Sequence, residues 1–378
     1  MKRLLIIHPW MPAYRVPFLV RLRTSLAEQG IELHVAFGEP VGNIRARGDN
    51  EYPDWMTRLP TRSIPLGSHR RIIWRNTRKL LHDVSPDFVI TEQAIKNLEN
   101  YWLLWLAKMG RFEFAFWGHG RSYSTPQTAS EAKVKDWLTN RAGWFFAYTA
   151  GGVDHVVSHG FNRNRVTEVR NSIDTDELKL NLGRVSEASK FAFLEEHGCT
   201  AGYTCLYLGG VDEEKGIPWL LQTAELIAAA EPKFRLLIGG TGNLSDAVVA
   251  AATTQNHLVP LGRLDGIEKA RALAASDLLL VPFWVGLVAV DSLTSGVPIV
   301  TTESSTHSPE YEYLDPGRTC IQSQCDQLAY RDSVIELLHN TSRRADMSAS
   351  CFSASAAISI DAMVQNFASG AVQWMQAS

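Results

Sequence analysis

Between Asp277 and Thr302 the chain reads DLLLVPFWVGLVAVDSLTSGVPIVTT: an apolar run, a turn with Gly286, a helical segment, Gly296 and a second apolar run. A strand–turn–helix unit of this kind presents unpaired backbone N–H groups at a helix start. There the donors and the helix dipole favour an anion. Gly286 lets the main chain come close to a phosphate, and Leu287 and Val288 carry the turn into the helix. Asp291, one turn further on, can accept hydrogen bonds from ribose hydroxyls. The plainer alternative is a solvated acid on an ordinary strand–helix unit.

Other groups able to do chemistry recur after apolar runs. LYLGGVDEEKGIPWLL (206–221) joins the pair Gly209 and Gly210 to Lys215, which is either a phosphate-binding cation or a solvent-facing one beside a helix start. IGGTGN (238–243) sets Gly240 and Gly242 in a tight turn that lacks the third glycine of a dinucleotide fingerprint. Arg263 in LGRLDG (261–266) is a cation in a short loop, or simply a surface arginine. THSPEYEYL (306–314) follows the next apolar run, so His307, Ser308 and Glu310 can reach the same cleft, while Ser-Pro-Glu is also a way to begin a helix, with serine as cap. In AFWGHGRSYS (115–124), glycines on both sides of His119 permit close approach of a ligand, and Arg121 adds charge; the alternative is a buried histidine bonded to backbone. His8, Tyr14 and Arg15 in HPWMPAYRVPF (8–18) are acceptor-side candidates, or packing residues of a shaped loop.

These groups need a frame. Short apolar runs at Leu4–Ile7, Glu32–Phe37, Phe88–Thr91, Glu113–Trp117 and Trp144–Tyr148 read as buried strands. A second set follows at Thr204–Leu208, Arg235–Ile238, Leu258–Pro260, Leu278–Val281 and Pro298–Thr301. Helical spacing fills the gaps, as in Val16–Glu28, Asn97–Lys108 and Pro218–Ala230, so each half is a parallel sheet covered on both faces. Arg170–Gly202 separates the halves, with an extended segment and then a helix at Ser186–His197. A chain of 378 residues, 45% hydrophobic and 20% charged, fits two globular domains. Five cysteines without metal spacing, and no leader, suggest a reduced cytoplasmic protein. Residues 1–180 carry 25 Lys and Arg against 18 Asp and Glu, leaving 12 against 22 for the remainder. A basic first half suits an anionic partner or membrane. HRRIIWRNTRKLLHD (69–83) reads as a basic helix that either lies on anionic lipid or covers the sheet.

The 277–302 segment resembles the donor-site signature of retaining glycosyltransferases of family 4, which have the GT-B fold. Gly286, Leu287, Val288, Gly296 and Pro298 match it, and Asp291 stands at its second glutamate; Phe283 replaces the first. The resemblance implies an α/β protein of two Rossmann-like domains with parallel sheets facing across a cleft. Residues 1–175, with a C-terminal helix at 358–378, would bind the acceptor and 176–357 the nucleotide sugar. It further implies catalytic roles for His119, Lys215 and Glu310. Donor contacts would come from Gly209, Gly210 (where the family has arginine), Lys215, Gly240, Gly242, Arg263, Gly286, Leu287, Val288, Asp291, His307 and Ser308. His8, Tyr14, Arg15 and Arg121 would face the acceptor, and Asn171 and Asp174 would fix the hinge. The expected partners are a nucleotide sugar, a glycan or lipid-linked acceptor and an anionic membrane, with no nucleic acid, metal or other cofactor. Two alternatives remain: a degenerate nucleotide-binding partner of a transferase, favoured by Phe283 and Gly210, and a nucleotide-sugar epimerase.

Overall fold

The computed structural model describes residues 1–41, 52–66, 70–121, 128–304 and 306–378, and the chain divides into two compact units: 1–173 with 360–378, and 174–359. In the first unit the strands are β1 (Lys2–His8), β2 (Ile31–Phe37), β3 (Met56–Arg58), β4 (Thr61–Leu66), β5 (Arg70–Arg75), β6 (Phe88–Glu92), β7 (Glu113–Gly118), β8 (Trp144–Ala147) and β9 (Val166–Glu168). Seven of them form one parallel sheet in the order β3-β2-β1-β6-β7-β8-β9. Helices α1 (Val16–Ala27), α2 (Arg78–Val84), α3 (Leu98–Lys108), α4 (Ala129–Thr139) and α5 (Ala150–Ser158) follow in chain order. Leu4–Ile7 are buried without alternation, as a strand covered on both faces must be.

The C-terminal helix, Ile360–Ala377, completes this unit by packing on α1, β8 and β9. Thr341–Ala377 is long and apolar enough to cross a membrane by length and composition. It is two helices, however, and Met363, Phe367 and Trp374 of the second are core residues.

The expected basic helix at 69–83 does not form. Arg70–Arg75 pair antiparallel with Thr61–Leu66, with Ile72 opposite Ile64, and only Arg78–Val84 are helical. The β-branched pair Ile72–Ile73 next to Trp74 favours a strand, and Asn76-Thr77 ends it. Arg75 is buried and paired with Glu99, and Arg71 donates to Ser63. The arginines therefore share no helical face.

The second unit has strands β10 (Thr204–Leu208), β11 (Arg235–Gly239), β12 (Leu258–Gly262), β13 (Leu278–Leu280), β14 (Ile299–Thr302) and β15 (Cys320–Ser323). They form one parallel sheet in the order β12-β11-β10-β13-β14-β15. Its helices are α6 (Thr175–Arg184), α7 (Glu187–Glu196), α8 (Ile217–Ala230), α9 (Ser245–Ala252), α10 (Gly266–Ala275), α11 (Val288–Ser295), α12 (Gln327–His339) and α13 (Thr341–Ser355). Helix α6 occupies part of the stretch read as extended. Asp174 starts it by accepting from the Glu177 N–H at 3.1 Å, so that residue is a helix cap.

Both sheets reverse direction of growth beside their first strand, between β1 and β6 and between β10 and β13. In doubly wound sheets ligands collect at that reversal, beyond the carboxyl ends of the strands.

Packing of the C-terminal helix depends on Gly370, where a Cβ would overlap the Thr167 side chain on β9. Gly370→Ala should destabilise the first unit by roughly 1–3 kcal/mol through overpacking, read as a lower urea midpoint. An unchanged midpoint would show that the helix does not bear on β9.

Candidate functional site

In the second unit the turn after β13 is built from both sides. Phe283 packs edge-on against Trp219 at 5.3 Å, over Gly216, whose φ of 73° and lack of a Cβ make room for the ring. Trp284 takes the left-handed conformation at φ 57°, strained for a bulky residue and sustained only by its surroundings. Those surroundings are His307 and Ser308. The Val285 N–H donates to His307 Nδ1 at 3.2 Å, and the Ser308 N–H donates to the Val285 carbonyl at 3.0 Å. His307 Nε2 lies 2.9 Å from the Thr302 carbonyl, so Nε2 carries the hydrogen and donates. Burial lowers the His307 pKa and keeps the ring neutral in this role. His307 is thus a positioning residue. Ser308 caps a turn of 3-10 helix at Pro309–Tyr313 without a side-chain cap bond, and its hydroxyl faces Gly286. Glu310 is buried in that turn.

Helix α11 starts two residues after Gly286, at Val288, with no side-chain cap. The Ala289 and Val290 amides already donate to the Gly286 and Leu287 carbonyls at 2.9 Å, so the donors offered to an anion are those of the turn itself, at 286–288. Lys215 comes from the turn after β10, on the other side of the strand reversal, and holds Nζ 5.0 Å from the Trp284 ring. Lys215, Gly286, Leu287, Val288 and Ser308 are thus brought together at the edge where an anion would bind.

Other expected donor residues have different surroundings. Asp291 is buried, and its Oδ1 lies 2.5 Å from Lys269 Nζ of α10. Burial raises its pKa and Lys269 opposes the rise. It is not the solvated acid of the plainer reading. Gly240 and Gly242 serve loop packing: a Cβ at 240 would overlap the Gly209 carbonyl, and one at 242 the Val211 carbonyl. Gly210 has its carbonyl bonded by the Tyr207 hydroxyl at 2.6 Å, and a Cβ there would lie 3.0 Å from Asp212 Oδ2. Arg263 is half-exposed and pairs with Asp265 at 2.6 Å, as a surface arginine does.

In the first unit, Arg15 is 1% exposed. Its Nη1 donates to Asn171 Oδ1 at 2.8 Å, and its Cζ lies 4.8 Å from the Trp117 ring and 5.7 Å from that of Tyr148. It is an internal cation, not an exposed reader of an acceptor. His8 is also inside: Nδ1 donates to the Trp10 carbonyl at 2.5 Å and the ring packs on Trp117. Burial first, then Arg15, pushes its pKa down to about 3. Loop packing thus accounts for His8 and Arg15, whereas Tyr14 is exposed. His119 stands just past β7 with its ring 4.3 Å from Tyr148. Burial, then Lys135 and Arg15, lower its pKa to about 3, so it is neutral near pH 7. Gly120, at φ 76°, lets the loop rest on Gly152 of α5. Arg121 is exposed, and the rest of that stretch, 122–124, lies outside the described residues.

The sequence reading missed Lys269, Lys135 and Trp284. Lys135 is buried on α4, and burial pushes its pKa down to about 8. A lysine within a helical pattern carries no sign of which face it takes. Trp284 was legible as a large residue in a turn, though not as a left-handed one. The first unit also has a mostly apolar cavity of about 280 Å³ lined by Ile72, Ile95, Leu98, Tyr101 and Val134, together with Arg71, Lys96, Ser130 and Glu131.

Comparison with known proteins agrees with this architecture. Residues 17–177 match the family described as Glycosyltransferase Family 4, and residues 202–340 match Glycosyl transferases group 1. Together these cover most of the chain, which belongs to the family 4 type of glycosyltransferases and has the GT-B fold. A phosphatidyl-myo-inositol mannosyltransferase of Mycolicibacterium smegmatis is 29% identical over 133 residues, 34% of each chain. The match thus spans about a third of that relative's length. The Anabaena protein HepE in complex with UDP superposes with a TM-score of 0.72 at 14% identity, covering 98% of this chain and 100% of the other. Its complex with UDP-glucose gives 0.71 over the same shares.

The buried pair sets a testable cost. Lys269→Met removes the cation facing the enclosed Asp291 carboxyl, which should cost about 3 kcal/mol or more of unfolding free energy in urea at pH 7. A loss below about 0.5 kcal/mol, the range of ordinary surface changes, would show that the pair is not formed.

Proposed function

We propose that the protein transfers a sugar from a nucleoside diphosphate to a glycan or lipid-linked acceptor, with retention of anomeric configuration. The observation that carries this reading is the meeting of Lys215 with the start of α11 at the β10–β13 reversal. A diphosphate bound there faces one cation and several backbone donors. These stabilise the charge that develops as the glycosidic bond breaks, and they stabilise it more in the transition state than in the bound sugar. The leaving phosphate oxygen can take the acceptor's proton, so no side-chain base is required. The neutral imidazole of His119 can exchange hydrogen bonds with sugar hydroxyls. Asp291 faces Lys269 through Oδ1, which leaves Oδ2 for a ribose hydroxyl. The solved relative with UDP-glucose supports a nucleotide sugar as the class of donor, and the mannosyltransferase supports a lipid-linked acceptor. The apolar cavity of the first unit supports the same acceptor class, and the half-exposed rings of Trp105 and Trp137 support contact with a membrane interface, where indoles settle.

A second reading is nucleotide binding without turnover. It is favoured by the Asp212 carboxylate beside Gly210, where the resemblance implies a cation, and by Phe283, whose ring cannot hold a sugar hydroxyl. Product formation over a panel of nucleotide sugars separates the two.

UDP, GDP, ADP or TDP, or one of their sugars, should raise the melting temperature. Lys215→Ala should weaken that nucleotide about tenfold or more, because a hydrogen bond to a charged group contributes about 1.5–3 kcal/mol. An equal shift in wild type and variant would remove Lys215 from the phosphate site. Transfer should also persist in EDTA; loss of activity that Mg²⁺ or Mn²⁺ restores would overturn the metal-independent mechanism.

A further inference from the structure

Away from the groups discussed above, three side chains converge near the C-terminal ends of α4 and α5. Asp136, His155 and His159 each offer one ligand atom, and those atoms all lie within 4.8 Å of one another. His155 and His159 stand four residues apart, one turn along the end of α5, with ring centroids 4.2 Å apart. Two imidazoles at this spacing share a helix face, the arrangement in which a helix binds zinc. Asp136 supplies a carboxylate from the neighbouring helix.

The surroundings prepare these groups. His159 Nδ1 lies 2.8 Å from the His155 carbonyl and donates to it, so Nε2 keeps its lone pair for an ion. A second-shell bond of this sort fixes the tautomer and orientation of a metal-binding histidine. Asn140, at the end of α4, donates from Nδ2 to the His159 carbonyl at 2.8 Å, which ties the two helix ends together before any ion binds. The positive charges of Lys135 and Arg121 act on His155 and oppose a cation there. A site that binds despite them must do so through imidazole coordination.

We propose that Asp136, His155 and His159 bind one divalent transition-metal ion of zinc type, with an open position left to water. Two imidazoles and one carboxylate suit Zn²⁺ and discriminate against Mg²⁺ and Ca²⁺, which prefer all-oxygen shells. Tetrahedral zinc spaces its ligand atoms about 3.3 Å apart, so rotation of the outer rings closes the remaining gap. The ion would join α4 to α5. The first turn of α5 holds Gly152 against the His119 loop, so the ion would stiffen the support of that loop.

The test is isothermal titration of the full, chelator-stripped chain with ZnCl₂. One ion per chain is expected, with no binding of Mg²⁺. His155→Ala should weaken binding about tenfold or more, the loss seen even for outer-shell partners. His159→Asn keeps a donor for the His155 carbonyl and removes the ligating nitrogen, so it should weaken binding equally while leaving the metal-free melting temperature unchanged. Co²⁺ in place of Zn²⁺ should give visible absorption bands that His159→Asn abolishes. Cys325→Ser, which removes an exposed thiol, should change nothing. The proposal fails if no ion binds, if both histidine variants bind as the wild type does, or if Cys325→Ser alone abolishes uptake.

Discussion

The turn after β13 depends on the two-way bonding of Val285 by the 307–308 segment. One residue gives its N–H to a histidine ring and its carbonyl to a backbone amide, and so both peptide planes flanking it are set. The residue before it is left in a left-handed conformation that a tryptophan does not choose alone. The residue after it is a glycine at the mouth of a helix. Phosphate recognition by backbone donors needs those donors aimed in advance, because reorientation on binding would consume the gain. Here the aim comes from a segment that follows the next strand, and a neutral buried imidazole supplies it.

A second constraint is the crowding of main chain at the ends of β10 and β11. The turns at 209–212 and 239–243 pass so closely that side chains at 240 and 242 would strike carbonyls. Those glycines owe their identity to backbone-on-backbone packing, whether or not a nucleotide comes near. A glycine-rich turn in a sequence therefore marks a close approach without naming what approaches. The same holds for Gly216, where the approaching group is a phenyl ring of the chain itself.

How far the sequence could be read follows from these facts. Apolar runs such as Leu4–Ile7 and Leu278–Leu280 gave both sheets directly, because strands covered on two faces need no alternation to be seen. The helix that was expected at 69–83 failed because Ile72-Ile73-Trp74 satisfy a strand as readily as a helix; the choice was made by Thr61–Leu66, a distant pairing partner, and by Glu99, which receives Arg75. Lys215 and Gly286–Val288 were recognisable because they sit in turns, where position along the chain nearly fixes position in space. For Arg15 and His8 the sequence left both an acceptor contact and loop packing open, and for Asp291 both a ribose contact and a solvated acid. Their environments are set by Lys269, Asn171 and Trp117, which nothing local announces. The sequence reading expected no metal site and passed over the spacing of His155 and His159; their third partner, Asp136, comes from another helix and leaves no local sign.

Phe283 has a consequence for how such a site can change. Its ring fills the space that Gly216 leaves open and rests on Trp219, so three positions form one packed unit. An acid introduced at 283 alone would leave a gap above a left-handed glycine and set a charge beside an indole. Substitutions in contact are not additive. Acquiring or losing a carboxylate here is therefore a joint event: 216 and 219 must vary with 283. A change of the group at 283 would have to pass through intermediates in which the turn itself is loosened.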